Sequence, residues 1–209
     1  MSLCTTMARP KKTPTEFLRL FVLMLALLPP AIAHAHSETG TIGGFVSGFR
    51  HPLTGLDHIA AMVAVGIWGA YLGAPAMWLL PVIFPMVMAF GGMLGLMGLP
   101  LPGAEIGIAL SALVLGAVIL AEARPPLAAS LAVVAAFAIF HGHAHGTELP
   151  ENASGLAYSI GFVTATGLLH AAGIGIGLIH RWPAGRLALR GAGGAIAAAG
   201  PVFLWLALA

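Results

Sequence analysis

Long runs of apolar residues, separated by short breaks rich in Pro, Gly or charge, fill the chain from residue 56 to its end. There are six such runs, at residues 56–72, 77–97, 105–121, 127–141, 156–179 and 187–208. They approach the roughly 20 residues that a helix needs to cross a bilayer, and they lack the alternation of barrel strands. Because lipid offers no hydrogen-bond partners to an open backbone, each run is predicted to be a transmembrane α-helix. We therefore expect an all-α polytopic membrane protein with six transmembrane helices.

Residues 1–33 have the layout of a secretory signal peptide. Basic residues precede a nine-residue apolar run at 20–28, and Ala33 and Ala35 each complete a small-x-small cleavage pattern. The apolar stretch at 20–33 is short for an uncleaved spanning helix. The predicted domains are thus a cleaved signal peptide, 1–33, and a transmembrane domain, 34–209. Cleavage after Ala33 would expose His36 at position three, where the amine, two amides and the imidazole suit square-planar Ni²⁺ or Cu²⁺. Cleavage after Ala35 would destroy this motif.

Composition narrows the class further. The chain has 209 residues, of which 59% are hydrophobic and 8% are charged, against about 25% charged in soluble domains. A soluble domain, a disordered chain and a nucleic-acid-binding surface are excluded by this shortage of charge. Nine histidines outnumber the seven carboxylates, and polar groups at membrane depth are usually functional. The single cysteine, Cys4, lies in the predicted signal peptide, so no disulfide or thiolate metal cluster is expected.

The arginines predict the orientation. Arg181, Arg186 and Arg190 follow the fifth run and Arg124 follows the third, whereas the break after the fourth run holds Glu148 and no Lys or Arg. Cytoplasmic loops carry the excess of positive charge. Both mature termini are therefore predicted to be periplasmic, in the inner membrane of a bacterium.

Two clusters carry the candidate chemistry. The first contains His51, Asp57 and His58, and on one continuous helix the two histidines, seven apart, would share a face. The second is a stripe at i, i+4 and i+7, formed by His141, His145 and Glu148. The predicted topology puts both clusters at the outer membrane face, where they could converge. Imidazole with carboxylate is a ligand set for Ni²⁺, Co²⁺, Zn²⁺ or Cu²⁺.

Two further histidines are weaker candidates for metal ligands. His143 faces away from the stripe if the helix continues, but Gly142 and Gly146 make an unwound turn possible, and that turn would bring it inward. His170 lies about 22 Å below the outer end of the fifth run at 1.5 Å per residue. It is either a second stop on an inward path or a histidine bonded to a backbone carbonyl.

Both clusters fit longer patterns. H-P-x-x-G-x-D-H at 51–58 and F-H-G-x-A-H-G-x-E at 140–148 resemble the signature motifs of the HupE/UreJ family of nickel/cobalt permeases. The resemblance implies uptake of Ni²⁺, sometimes Co²⁺, for hydrogenase or urease, with the metal as cargo and no resident cofactor. It also implies that transport needs the six motif residues, His51, Asp57, His58, His141, His145 and Glu148. His143 falls on a variable position of the second motif.

The expected function is therefore inward metal transport rather than catalysis. The expected partners are the ion and the bilayer, without nucleic acid; a homo-oligomer is compatible with the sequence. No phosphate-binding loop is present, because no Lys follows residue 12, so transport is passive, gradient-driven or driven by a partner. One alternative is a membrane enzyme with His-bound metal, although di-iron hydroxylases use more His-x-x-His-His-type ligands near the cytoplasmic face. Another is a metal-binding accessory or sensor protein that moves nothing.

Overall fold

A computed structural model describes residues 40–149 and 154–208. The predicted signal peptide and His36 lie outside these residues. Every regular secondary-structure element in the described part is a helix. Its helices are α1 Gly40–Arg50, α2 Leu56–Leu72, α3 Ala76–Leu96, α4 Ala104–Leu120, α5 Leu127–Thr147, α6 Gly155–Gly177 and α7 Pro183–Leu208, with 3₁₀ turns at His51–Leu53 and Leu178–Arg181.

The apolar runs predict most of these helices closely. α2 has the predicted bounds, and α3 and α4 are each displaced by one residue. α5 runs six residues past its predicted end at 141, so the second histidine cluster lies inside a helix. α1 was not predicted, because Gly40–Arg50 is rich in Gly and polar residues.

Four helical segments are long and apolar enough to cross a membrane: Ala76–Leu96, Leu127–Thr147, Gly155–Arg181 and Pro183–Leu208. α1 and α2 together would make a fifth span, bent by 78°. α4 is apolar but has only 17 residues. Large apolar side chains on the outer faces, such as Trp78 and Trp205, are exposed, as lipid contact requires. The protein is thus an all-α, multi-pass membrane protein, and the count of six spans stays a prediction.

The bend between α1 and α2 arises from Pro52, Thr54 and Gly55. Pro52 has no backbone N–H to continue α1, and the backbone N–H and hydroxyl of Thr54 both donate to the His51 carbonyl, at 3.1 and 2.7 Å. Gly55 is extended, with φ −93° and ψ 119°, and α2 begins after it. The prediction that His51 and His58 share one helical face was therefore wrong; the bend, rather than helical periodicity, relates them.

α5 packs closely on α3 through glycines. A Cβ atom at Gly142 would collide with the Met88 carbonyl, and one at Gly146 with the Gly92 carbonyl. The unwound turn considered at these glycines does not occur, because α5 continues to Thr147 and uses them for backbone contact. His143 consequently points away from the stripe.

Candidate metal centre

Three side chains form a group with metal-ligand geometry. One ligand atom each from His51, His145 and Glu148 lies within 4.8 Å of the other two. His51 Nε2 is 3.2 Å from Glu148 Oε2, and His145 Nδ1 is 3.9 Å from the same oxygen. His51 comes from the turn after α1, while His145 and Glu148 come from the end of α5. Two imidazoles and one carboxylate are ligands that borderline divalent ions accept.

Asp57 and His58 form a pair in the first turn of α2. Asp57 Oδ1 accepts hydrogen bonds from the backbone N–H and from the ring Nδ1 of His58, both at 2.8 Å. A Cβ atom at Gly55 would lie 2.7 Å from Asp57 Oδ1 and 2.8 Å from His58 Nδ1, so glycine leaves room for the pair. With Nδ1 held by the carboxylate, the lone pair of His58 is on Nε2, which is the usual arrangement of a metal-binding histidine.

The rings of the two clusters meet. The His58 ring centroid is 4.6 Å from that of His145 and 4.9 Å from that of His141. His51 lies edge-on to His145 at 4.6 Å. The structure therefore brings the two clusters together, as the predicted topology suggested, and the six motif residues form one group, which we call the histidine cluster.

Exposure decreases stepwise through this cluster. The side chain of Glu148 is 54% exposed and that of His51 is 29% exposed, whereas His145 is 6% exposed and His141 is fully buried. The hydrogen bond from His51 lowers the pKa of the Glu148 carboxyl, against a smaller opposing effect of burial. Glu148 is thus an ionised carboxylate at the rim, and the imidazoles lead inward from it.

Two other candidates lie outside the cluster. His143 donates from Nε2 to the carbonyl of Leu99, 2.7 Å away, on the other side of α5, so the structure does not bring it to the other candidate ligands. His170 is buried in α6 and donates from Nδ1 to the Met62 carbonyl at 2.8 Å. Its ring lies 5.3 Å from that of Phe84, which in turn lies 5.4 Å from His141.

The sequence did not lead us to the residues of α6 that pack against the histidine cluster. The Phe162 ring lies 4.3 Å from His145, and the Tyr158 ring lies 6.0 Å from His51. Tyr158, Phe162, Thr166 and His170 recur every fourth residue, and all are buried. That spacing places them on one helical stripe and was a signal available in the sequence.

A cavity of about 240 Å³ opens between α3, α5 and α6 and reaches His145. Apart from His145, its lining is mainly apolar and includes Met88, Leu149 and Phe162. A hydrated divalent ion would lose water there with few replacement ligands. The polar approach to His145 is therefore the side formed by His51 and Glu148.

Comparisons with known proteins show the family to which the chain belongs. The family described as HupE / UreJ protein matches residues 22–203. Protein HupE of Rhizobium leguminosarum bv. viciae is 43% identical over 189 residues, which cover 90% of this chain and 98% of that relative. No solved structure matches. The match spans both histidine motifs and every described helix in whole or in part, and the chain belongs to the HupE/UreJ family.

Proposed function

We propose that this protein carries Ni²⁺, with Co²⁺ as the alternative cargo, inward across the bacterial cytoplasmic membrane to supply hydrogenase or urease. One observation carries the proposal: His51, His145 and Glu148 hold ligand atoms within 4.8 Å of one another where exposed residues give way to buried ones. Family membership supports the same role. The multi-pass helical architecture is what a permease requires.

The histidine cluster would replace part of the ion's hydration shell. Glu148 and Asp57 together carry two negative charges when ionised, which offset the charge of a divalent cation entering low-dielectric surroundings. Asp57 acts through His58: it accepts the Nδ1 proton and leaves Nε2 with the lone pair. Neutral imidazoles bind borderline ions firmly enough to compete with water.

Exposure suggests the route through the cluster. The ion would bind first at Glu148 and His51, pass to His145, and then reach His58 and His141. Each step exchanges ligands between rings whose centroids are less than 5 Å apart. The arginine-rich breaks lie at the other ends of these helices, so positive-inside orientation would make the cluster periplasmic, together with both mature termini.

Uptake of radioactive Ni²⁺ tests the proposal. Cells that lack their own nickel uptake should accumulate the ion when they express this chain, and excess Co²⁺ should compete better than Zn²⁺ or Cu²⁺. His180→Ala is a suitable control, because His180 lies away from the cluster and, among the described residues, its side chain hydrogen-bonds only to the Gly177 carbonyl, at 2.9 Å. Binding of Ni²⁺ by the purified protein without accumulation in cells would favour an accessory or sensor role instead.

A further inference from the structure

His170 has a buried ring nitrogen with nothing to bind. Its side chain is 1% exposed, and Nδ1 lies 2.8 Å from the Met62 carbonyl of α2. A carbonyl only accepts, so Nδ1 carries the hydrogen and Nε2 carries the lone pair. Nε2 is buried and has no hydrogen-bond partner among the described residues. Buried polar atoms are normally satisfied, so this one calls for a reason.

The same arrangement occurs twice in the histidine cluster. His141 Nδ1 donates to the Phe137 carbonyl at 3.0 Å, and His58 Nδ1 donates to Asp57 at 2.8 Å. In both, Nε2 is buried without a partner in the described part of the chain. Metal-binding histidines usually donate their other ring N–H to a carbonyl or carboxylate, which orients the ring and fixes the tautomer. His170 therefore has the form of a ligand, not only that of a packing residue.

Thr166 adds an oxygen on the same stripe. Threonines in helices commonly donate to the carbonyl four residues earlier, as Thr164 does to Ile160 at 2.7 Å. Thr166 is fully buried, yet its hydroxyl makes no hydrogen bond within the described ranges. It lies one helical turn from His170, on the side of the cluster. Valine would fill such a position without an unsatisfied hydroxyl.

We propose that His170 Nε2 and Thr166 Oγ1 form an inner binding station for a partly dehydrated divalent cation that has left the histidine cluster. The inference rests on the proposed function and names a further site on its path. Phe84 borders both sites, since its ring is 5.4 Å from that of His141 and 5.3 Å from that of His170. The station offers neutral ligands, whereas the cluster includes two carboxylates. It would therefore hold the ion more weakly and favour release.

The test separates this station from the cluster. His170→Asn keeps an amide donor for the Met62 carbonyl and removes the imidazole lone pair. Thr166→Val keeps the shape of the side chain and removes the hydroxyl. His180→Asn is the matched control, because His180 Nδ1 also donates to a backbone carbonyl, that of Gly177 at 2.9 Å, but lies beyond the end of α6.

Three measurements are needed: the initial rate of radioactive Ni²⁺ uptake, the affinity of the purified protein for Ni²⁺, and the amount of protein in the membrane. We expect His170→Asn to slow uptake at least about tenfold and Thr166→Val about threefold, while Ni²⁺ affinity at the cluster stays within twofold. His180→Asn should behave as wild type.

The outcomes distinguish the two proposals. A wild-type protein that accumulates no Ni²⁺ overturns the proposed function. A transporting wild type with full rates in His170→Asn and Thr166→Val overturns the inner station alone. Loss of Ni²⁺ affinity at the cluster in His170→Asn also overturns it, because His170 would then act by shaping the cluster. If His170→Asn fails to reach the membrane, Thr166→Val decides, since that change removes an unpaired hydroxyl without changing volume.

Discussion

The polar side chains at the two ends of the helical bundle differ in burial and in hydrogen bonding. At the histidine end, ring nitrogens of His58, His141 and His145 are buried without hydrogen-bond partners in the described residues. At the arginine end, Glu122 accepts from Arg186 at 2.6 Å and from the Tyr71 hydroxyl at 3.1 Å. A buried polar group without a hydrogen-bond partner lowers the stability of the fold, whereas a hydrogen-bonded polar group does not.

This difference indicates what each end is for. Buried polar groups without partners lower the stability of the free protein, and a ligand that binds them can offset this loss. Functional sites often trade stability for activity in this way. Under the proposed function, the histidine end binds an ion that must arrive and leave. The arginine end is arranged as a fixed closure: Arg124 lies over the Tyr71 ring at 4.5 Å and Trp68 Nε1 donates to the Ala123 carbonyl at 3.1 Å.

The largest expected effect comes from removing the ring at the centre of the histidine end. His145→Ala should reduce Ni²⁺ uptake to the vector background, because His145 contacts His51, His58 and the Glu148 carboxylate. His58→Ala should do the same. Both variants should still reach the membrane, and His145→Ala should keep most of its stability, since it removes two buried ring nitrogens that have no hydrogen-bond partner among the described residues. Normal uptake by either variant would remove that residue from the path.

The sequence predicted most of this arrangement but not the way it is assembled. Hydropathy gave the bounds of α2 and located α3 and α4 to within one residue, and the two motifs contained the six cluster residues. The sequence did not show the bend at Pro52–Gly55, because the Gly-rich and polar segment of α1 gave no sign of a helix before it. Nor could it choose between flexibility and close packing for Gly142 and Gly146. That choice sets the direction of His143, and it depends on the position of α3.

A smaller but specific effect should follow from filling the space under the Asp57–His58 pair. Gly55→Ala puts a Cβ atom 2.7–2.8 Å from both side chains, so the carboxylate must move and His58 loses its orientation. We expect uptake to fall about tenfold, within the range typical of lost support for a metal ligand. Gly175→Ala is the control, because a Cβ there meets nothing within 4 Å. Equal rates in both variants would show that the pair is not needed in this geometry.

Acidification should weaken Ni²⁺ binding at the histidine end and lower uptake by a smaller factor than these substitutions do. The lowered pKa of Glu148 keeps this carboxylate ionised between pH 7 and 5.5, so acidification over this range leaves the negative charge at the rim unchanged. Imidazole binds a metal ion only in its neutral form, so any proton on a ring must leave before that ring can bind. Uptake measured at limiting Ni²⁺ should fall several-fold over this range. A rate that rises on acidification would instead indicate coupling to protons.

The smallest effect on transport should come from the arginine end. Glu122→Gln and Arg186→Gln each break the ion pair, and if that pair only closes the bundle, uptake at saturating Ni²⁺ should stay within about twofold of wild type. Stability should respond instead, with the melting temperature lowered by a few degrees.

The Arg186 hydrogen bond lowers the pKa of Glu122, so the stabilisation is complete above the unfolded-state pKa of the carboxyl and is lost as pH falls through the lower folded-state value. The difference in melting between wild type and Glu122→Gln should therefore shrink in strong acid. It should also shrink at high salt, because Arg186 is 56% exposed and its charge is screened. Loss of uptake as complete as that of His145→Ala would contradict this division, because the arginine end would then have to open for each ion that leaves.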